Sequence, residues 1–206
     1  MSGGFKKPRI AAAVMAAGAS SRMSAIKQLL PWQKTTLLGH VIEQIKQTDT
    51  CDIFLVVGAH HKEILETVNT DGIQVIYNEN WSSGMGSSIS KMVGYIEKNQ
   101  LDFDGLLIAV SDQPLLKVDH YNKLINSSIN KERIVCSYYN DSPGVPVVFD
   151  RIYFEQLKLL NEDYGAKSII KKHLDHMICM DAPDGAIDLD TKDEYEKYYH
   201  THGNKV

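Results

Sequence analysis

Short apolar runs alternate with segments of helical periodicity from one end of the chain to the other, and few architectures accept that alternation. Arg9–Met15 (RIAAAVM), Asp52–Val57 (DIFLVV), Ile73–Tyr77, Gly105–Val110 (GLLIAV), Arg133–Ser137, Val145–Phe149 and Met177–Met180 have the length of buried strands. Between them, Leu37, Leu38, Val41, Ile42 and Ile45 share one face of a helix over Leu37–Gln47. Ile89, Met92, Val93 and Ile96 repeat the i, i+3, i+4, i+7 spacing of a second. Further helices are expected near His61–Val68, Val118–Ser128, Ile152–Leu160 and Ala166–His173. Another follows Thr191, with Glu194 completing a capping box. Turns are expected at Ser142-Pro143-Gly144 and Pro183–Gly185. Strands that continuous leave no face for solvent. They belong in a mainly parallel sheet with helices on both sides, an α/β three-layer sandwich.

The chain has 206 residues. That length suits a single domain spanning 1–206, with the polar start (1–8) expected to be a flexible leader. The net charge is −4 and the pI about 6.0, so no basic face for nucleic acid is foreseen. The apolar run Ile10–Ala17 is far short of the roughly 20 residues that span a bilayer, so no membrane association is expected. Cys51, Cys136 and Cys179 are widely spaced and form no CxxC, which argues against a disulfide framework or zinc knuckle. A reducing cytoplasm is the simplest compartment.

In parallel sheets, ligands sit beyond the carboxyl ends of the strands. That rule selects the loops after Met15, after Tyr77 and after Val110. The first, Met15-Ala16-Ala17-Gly18-Ala19-Ser20-Ser21-Arg22-Met23-Ser24-Ala25-Ile26-Lys27-Gln28, is built of small residues plus two cations. Small residues let backbone amides approach a phosphate, and Arg22 and Lys27 offset its charge. The loop has neither GxxxxGK[ST] nor GxGxxG, so it is not a P-loop or a dinucleotide fingerprint. The plain alternative is a tight turn with two solvated cations. Asp112, just past the most continuous apolar run, suits one carboxylate of a Mg²⁺ site; alternatively it caps the turn before Pro114. Asp188 or Asp190 could give the second carboxylate, or simply precede a helix start. Gly84 would admit a ligand closely, and Ser87 or Ser88 could bond it or cap the next helix. His60-His61 read as a solvent-facing polar pair, Met85 and Met92 as core, and Tyr195, Tyr198, Tyr199, His200 and His202 as packing or an oligomer contact.

Several motifs, in order, resemble one family. "MAAGASSRMSAIKQLLP", "NENWSSGMGSSI", "SDQP", "GVPVVF", "NEDYGAKSII" and "DLDTKDEY" are similar to signature segments of the molybdenum cofactor cytidylyltransferases. These belong to the MobA-like NTP transferase family, with related xanthine dehydrogenase accessory proteins. Ser24 stands where the family has Gly, and Lys167 where Arg is usual. The resemblance implies a Rossmann-like three-layer sandwich of the nucleotide-diphospho-sugar transferase type. It implies Mg²⁺-dependent transfer of CMP from CTP to the terminal phosphate of molybdopterin cofactor, with pyrophosphate released. It assigns catalysis to Arg22, Lys27 and Asp112. Nucleotide binding falls to Ala16, Ala17, Gly18, Ala19, Lys27, Gly84 and Ser88, and metal binding to Asp112 and Asp190. Ala17, where guanylyl relatives have Gly, is expected to narrow the base pocket toward a pyrimidine. Pro143–Phe149 is a candidate wall for the acceptor. A molybdoenzyme such as a xanthine dehydrogenase is a possible recipient. The other readings are a sugar- or polyol-phosphate nucleotidyltransferase, and a carrier of mature cofactor with little turnover.

Overall fold

The computed structural model describes residues 8–21, 23, 25–129, 133–161, 165–182 and 187–204. Most of the expected leader, the Pro183–Gly185 turn, Ser24 and the Glu162-Asp163-Tyr164 stretch lie outside the described residues.

The elements in chain order are β1 (Ile10–Ala16), β2 (Pro31–Trp32), β3 (Thr35–Thr36), α1 (Leu37–Lys46), β4 (Ile53–Val57), α2 (His61–Thr67), β5 (Gln74–Tyr77) and α3 (Met85–Lys98). They continue with β6 (Gly105–Val110), α4 (Val118–Ser128), β7 (Ile134–Tyr139), β8 (Ser142–Asp150), α5 (Phe154–Lys158), α6 (Lys167–Lys172), β9 (Met177–Asp181) and α7 (Lys192–Tyr198). Seven strands form one sheet in the order β5-β4-β1-β6-β8-β7-β9. All its neighbours pair parallel except β8, which runs against both β6 and β7. This is the mainly parallel Rossmann-like sandwich of the nucleotide-diphospho-sugar transferase type.

Every residue of β1 is buried, because both faces of the sheet are covered. Ala11, Ala13 and Met15 pack with Ile89, Met92, Leu157 and Ile170 from α3, α5 and α6. Ile10, Ala12, Val14 and Ala16 pack on the other side with Val41, Ile64 and Leu124 from α1, α2 and α4. A third cluster joins Trp32 and Leu37 to Leu189, flanked by Tyr195, Tyr198 and Tyr199. The C-terminal aromatics therefore pack, and Tyr195 donates to the Pro31 carbonyl at 2.8 Å. The capping box forms as expected, Glu194 N–H reaching Thr191 Oγ1 and Thr191 N–H reaching Glu194 Oε2.

One turn sits elsewhere than expected. Ser142-Pro143-Gly144 is not a turn but the start of β8. The chain reverses at Asn140 and Asp141, both at positive φ, 49° and 55°. Two successive left-handed residues make the turn whose twist suits a hairpin, and Asn and Asp tolerate that conformation. The Pro-Gly pair concealed the signal.

The topology also sets where a ligand can enter. The chain runs outward from β1 through β4 to β5, then crosses back to place β6 on the other side of β1. The strand order reverses there, and the loops leaving β1 and β6 diverge to open a crevice.

Candidate active site

The loop leaving β1 is held from behind by its carbonyls. Gln28 is 3% exposed, an unusual place for an amide side chain. Its Nε2 donates to Gly18 O at 2.9 Å and Ala16 O at 3.3 Å, while its Oε1 accepts from Ser20 Oγ. Ser20 Oγ also accepts from the Lys27 amide, closing the loop on itself. Ala59 N–H takes the Ala17 carbonyl at 3.1 Å, and the Nε2–H tautomer of His60 takes that of Ala19 at 3.1 Å. The carbonyls of Ala16 to Ala19 thus all have protein partners. A row of free carbonyls would repel a phosphate, and this bracing removes them from competition.

Lys27 crosses to the loops at the other side of the crevice. Its Nζ donates to Asp112 Oδ2 at 2.6 Å and Asp190 Oδ1 at 2.7 Å. The side chain is only 12% exposed, against 20% for Asp112 and 33% for Asp190. Burial pulls the Lys27 pKa down, and the Asp112 and Asp190 carboxylates more than offset this, so the net shift is upward. The ammonium is therefore held charged.

Asp112 follows β6, and Asp190 reaches it because Leu189 N–H bonds the Asp112 carbonyl at 3.2 Å while the Leu189 side chain is buried against Trp32 and Leu37. Asp188, on the other side of Leu189, accepts from Gln113 Nε2 at 2.9 Å. Burial pushes the Asp188 pKa up, with the Asp112 and Asp190 charges adding to the shift.

A cleft of about 420 Å³ gathers these parts. Ala16, Ala17, Gly18, Lys27, Gly84, Ser88, Asp112 and Asp190 all line it, although they come from four separate loops and helix starts. Ala19 is held by His60 and is not among the lining residues. Arg22 lies outside the described residues. Pro143–Phe149 takes no part in this cleft; β8 places those residues in the sheet.

The far wall comes from the start of α3. Gly84 precedes the helix at φ 95°, a conformation that favours glycine. Ser88 is buried, and its Oγ accepts from Asn78 Nδ2 at 3.0 Å, so it is tied to the end of β5 as well as facing the cleft. Ser87 bonds the Gly84 carbonyl. Met92 is core as expected, but Met85 is 39% exposed and lines the cleft, because the helix starts there and turns that position outward. Trp81 also lines the cleft, lying against Gly58.

The residues fit a divalent cation. Asp112 Oδ1 is buried without a hydrogen-bond partner, an electron-rich atom that a cation would satisfy. Asp112 and Asp190 already share one positive charge through Lys27. Among the described residues no three His, Cys, Asp or Glu side chains form a closed metal cage. Two carboxylates completed by substrate phosphates is the arrangement Mg²⁺ favours.

The model of the MobA-like NTP transferase domain matches residues 12–177. The chain belongs to the MobA-like NTP transferase family. This MobA-like chain is 28% identical over 203 residues to the purine catabolism protein PucB of Bacillus subtilis, covering 93% of the chain and 97% of PucB. It is 28% identical to the nicotine blue oxidoreductase of Paenarthrobacter nicotinovorans, covering 91% and 95%. It is also 28% identical to the molybdenum cofactor cytidylyltransferase of Escherichia coli, over 67% of the chain and 68% of that protein. In structure it is similar to the homologue of Rv0371c from mycobacterium sp. strain JC1, with a TM-score of 0.79 at 25% identity over 94% and 96% of the chains. The manganese complex of Rv0371C from Mycobacterium tuberculosis superposes with a TM-score of 0.77 at 24% identity, covering 93% and 98%. The MobA-like family is one of nucleotidyltransferases, and the crevice at the β1/β6 reversal is where such a fold presents its ligand.

The motif residues could be named from sequence because they carry charge or small size. Gln28, Asn78 and Gln113 could not, since nothing in their local spacing marks them as buried. The one available hint was a polar residue directly beside Lys27, at the end of β5 and beside Asp112.

Proposed function

We propose that this chain transfers CMP from CTP to the terminal phosphate of molybdopterin cofactor and releases pyrophosphate. The carrying observation is the pair of carboxylates, Asp112 and Asp190, joined through Lys27 at the floor of a cleft roofed by a small-residue loop. In this reading the loop's tied-back carbonyls leave its amide side for the triphosphate. Lys27 offsets phosphate charge, and Arg22 adds a second cation from the same loop. Gly84 and Ser88 border the nucleoside. Asp112 and Asp190 would hold Mg²⁺ with the substrate phosphates; bound there, it would neutralise phosphate charge and favour loss of pyrophosphate. No protein nucleophile is required, because the chain's contribution is to align two phosphates and screen their repulsion. The whole chain, 1–206, acts as one catalytic unit.

The E. coli relative supports the acceptor through its name, as a molybdenum cofactor cytidylyltransferase. Ala17 supports the base: it lines the cleft, where in this reading its methyl would leave less room for a purine than the glycine of guanylyl relatives. The protein would work in the cytoplasm and pass its product to a molybdoenzyme such as a xanthine dehydrogenase. Among the described residues no helix is long and apolar enough to cross a membrane.

The test is pyrophosphate release with each of the four nucleoside triphosphates, Mg²⁺, and either molybdopterin cofactor or a set of sugar phosphates. Release with CTP and the pterin is expected, and Asp112→Ala should abolish it while circular dichroism shows the fold intact. Ala17→Gly should raise the use of GTP relative to CTP. Release with sugar phosphates alone would replace the acceptor. Tight pterin binding with no release under any condition would make the protein a carrier.

A further inference from the structure

Cys136 and Cys179 are 43 positions apart, yet their sulfurs lie 3.7 Å from each other. They are direct register partners on β7 and β9, which pair in parallel at the open edge of the sheet. Side chains opposite one another on neighbouring strands project from the same face. Cys136 is completely buried, whereas Cys179 is exposed. One thiol therefore meets solvent and the other waits directly behind it.

We infer that Cys136 and Cys179 form a redox-responsive pair, with Cys179 as the thiol that reacts with a hydroperoxide and Cys136 as the thiol that resolves it. The Cys179 sulfur attacks the peroxide O–O bond, giving a sulfenic acid and releasing water from hydrogen peroxide, or an alcohol from an organic hydroperoxide. The Cys136 sulfur then displaces the sulfenic hydroxyl, which leaves as water with the Cys136 proton. Sulfur is oxidised and the peroxide oxygens are reduced, and no other reactant is needed.

The backbone is already placed for closure. Adjacent strands lie about 4.8 Å apart, inside the roughly 4.4–6.8 Å between Cα atoms that disulfides span. The sulfurs must approach from 3.7 Å to about 2.05 Å, a movement that side-chain rotation supplies. Burial pushes the Cys136 thiol pKa well up, and the neighbouring Cys179 adds to the shift. Cys136 is therefore a poor first target for oxidant. A reducing cytoplasm keeps such a pair open until oxidant appears. The closed bond would tether β9, from which the chain runs toward Asp188 and Asp190, to the interior strand β7.

The full reduced chain would be exposed to excess hydrogen peroxide, quenched in acid, unfolded, alkylated with N-ethylmaleimide and analysed by intact mass and peptide mapping. The expected product has Cys136 and Cys179 linked, with about 2 Da lost in forming that bond, and carries N-ethylmaleimide on Cys51 alone, two labels fewer than the reduced chain. Dithiothreitol should reverse it, and the linked form should melt several degrees higher. Cys179→Ser should block the reaction and Cys51→Ser should leave it unchanged. Alkylation of both Cys136 and Cys179, over-oxidation of Cys179 without a link, or a link between two chains through Cys179 would each overturn it.

Discussion

Lys27 Nζ lies 2.6 Å from Asp112 Oδ2, although 85 positions separate the two residues in sequence. The same ammonium reaches Asp190 at 2.7 Å, so one cation holds two carboxylates from distant loops. Removing it should have two separable effects. Lys27→Met should lower turnover about 100- to 1000-fold, the range for loss of a placed charge at a reacting centre. It should also leave Asp112 and Asp190 without a shared cation in metal-free protein, lowering the melting temperature. Added Mg²⁺ should then stabilise Lys27→Met more than it stabilises the native chain. Thermal melts with and without Mg²⁺ check this; equal Mg²⁺ shifts in the two proteins would show that the carboxylates do not form the cation's seat.

Asp188 and Asp190 can be separated in the same way. Leu189 is buried between them, and the two carboxylates meet different partners. Asp190 meets Lys27 and the cleft, while Asp188 meets Gln113. Asp190→Ala should raise the Mg²⁺ or Mn²⁺ concentration for half-maximal binding, followed by Mn²⁺ electron paramagnetic resonance, about tenfold or more. Asp188→Ala should act less, through the position of the loop. The reverse order would make Asp188 the ligand.

The sheet was legible because β1, β4 and β6 are buried on both faces, and that condition writes itself as unbroken apolar runs such as GLLIAV. Lys27 and Asp112 were legible because their loops follow strands at the carboxyl edge of the sheet and lie in motifs that resemble the family's; that the two side chains meet was not. The hairpin turn was not, since Asn140-Asp141 is followed by a Pro-Gly pair that carries a stronger turn signal. Asp188 and Asp190 could not be told apart, because their difference depends on which way Leu189 is anchored, a tertiary contact with Trp32 and Leu37. Gln28 escaped for a similar reason. A buried amide bonding two backbone carbonyls twelve and ten positions away has no local pattern.

Two histidines should set the acid limit of stability. Burial depresses the His120 pKa below its usual 6.5, and the Lys123 charge lowers it further. Burial likewise depresses His40, outweighing Glu43 and the Pro114 carbonyl, which pull upward. For both, the folded pKa lies below the unfolded one. Between the two values the unfolded chain binds more protons, so stability is present above about pH 6.5 and is lost as pH falls through the folded values. His120→Gln keeps a group able to bond Ser137 Oγ, which His120 meets at 2.8 Å, but does not titrate there. Denaturant melts from pH 7.5 to 5 should fall less steeply for His120→Gln than for the native chain. Parallel curves would rule His120 out of the acid transition.

Gly18 lines the cleft and Gly58 packs against Ala17 of the same loop, and the two should respond oppositely to a methyl group. A Cβ at Gly58 would stand 2.5 Å from Trp81 Cβ, 2.6 Å from the Ala17 carbonyl oxygen and 2.9 Å from Ala17 Cβ. Two of these atoms belong to the loop that roofs the cleft, and the carbonyl is backbone that cannot rotate away. Gly58→Ala should therefore cost about 1–3 kcal/mol of stability by overpacking, measured by denaturant unfolding. A Cβ at Gly18 would have nothing within 4 Å, so Gly18→Ala should leave the unfolding midpoint nearly unchanged. Gly18 lines the cleft, where the triphosphate is proposed to bind. Gly18→Ala should then raise KM for the nucleotide about tenfold, because a methyl group keeps the loop amides from the phosphates. An unchanged KM would show that the phosphates do not pack on Gly18, and would move them along the cleft toward Lys27 and Asp112.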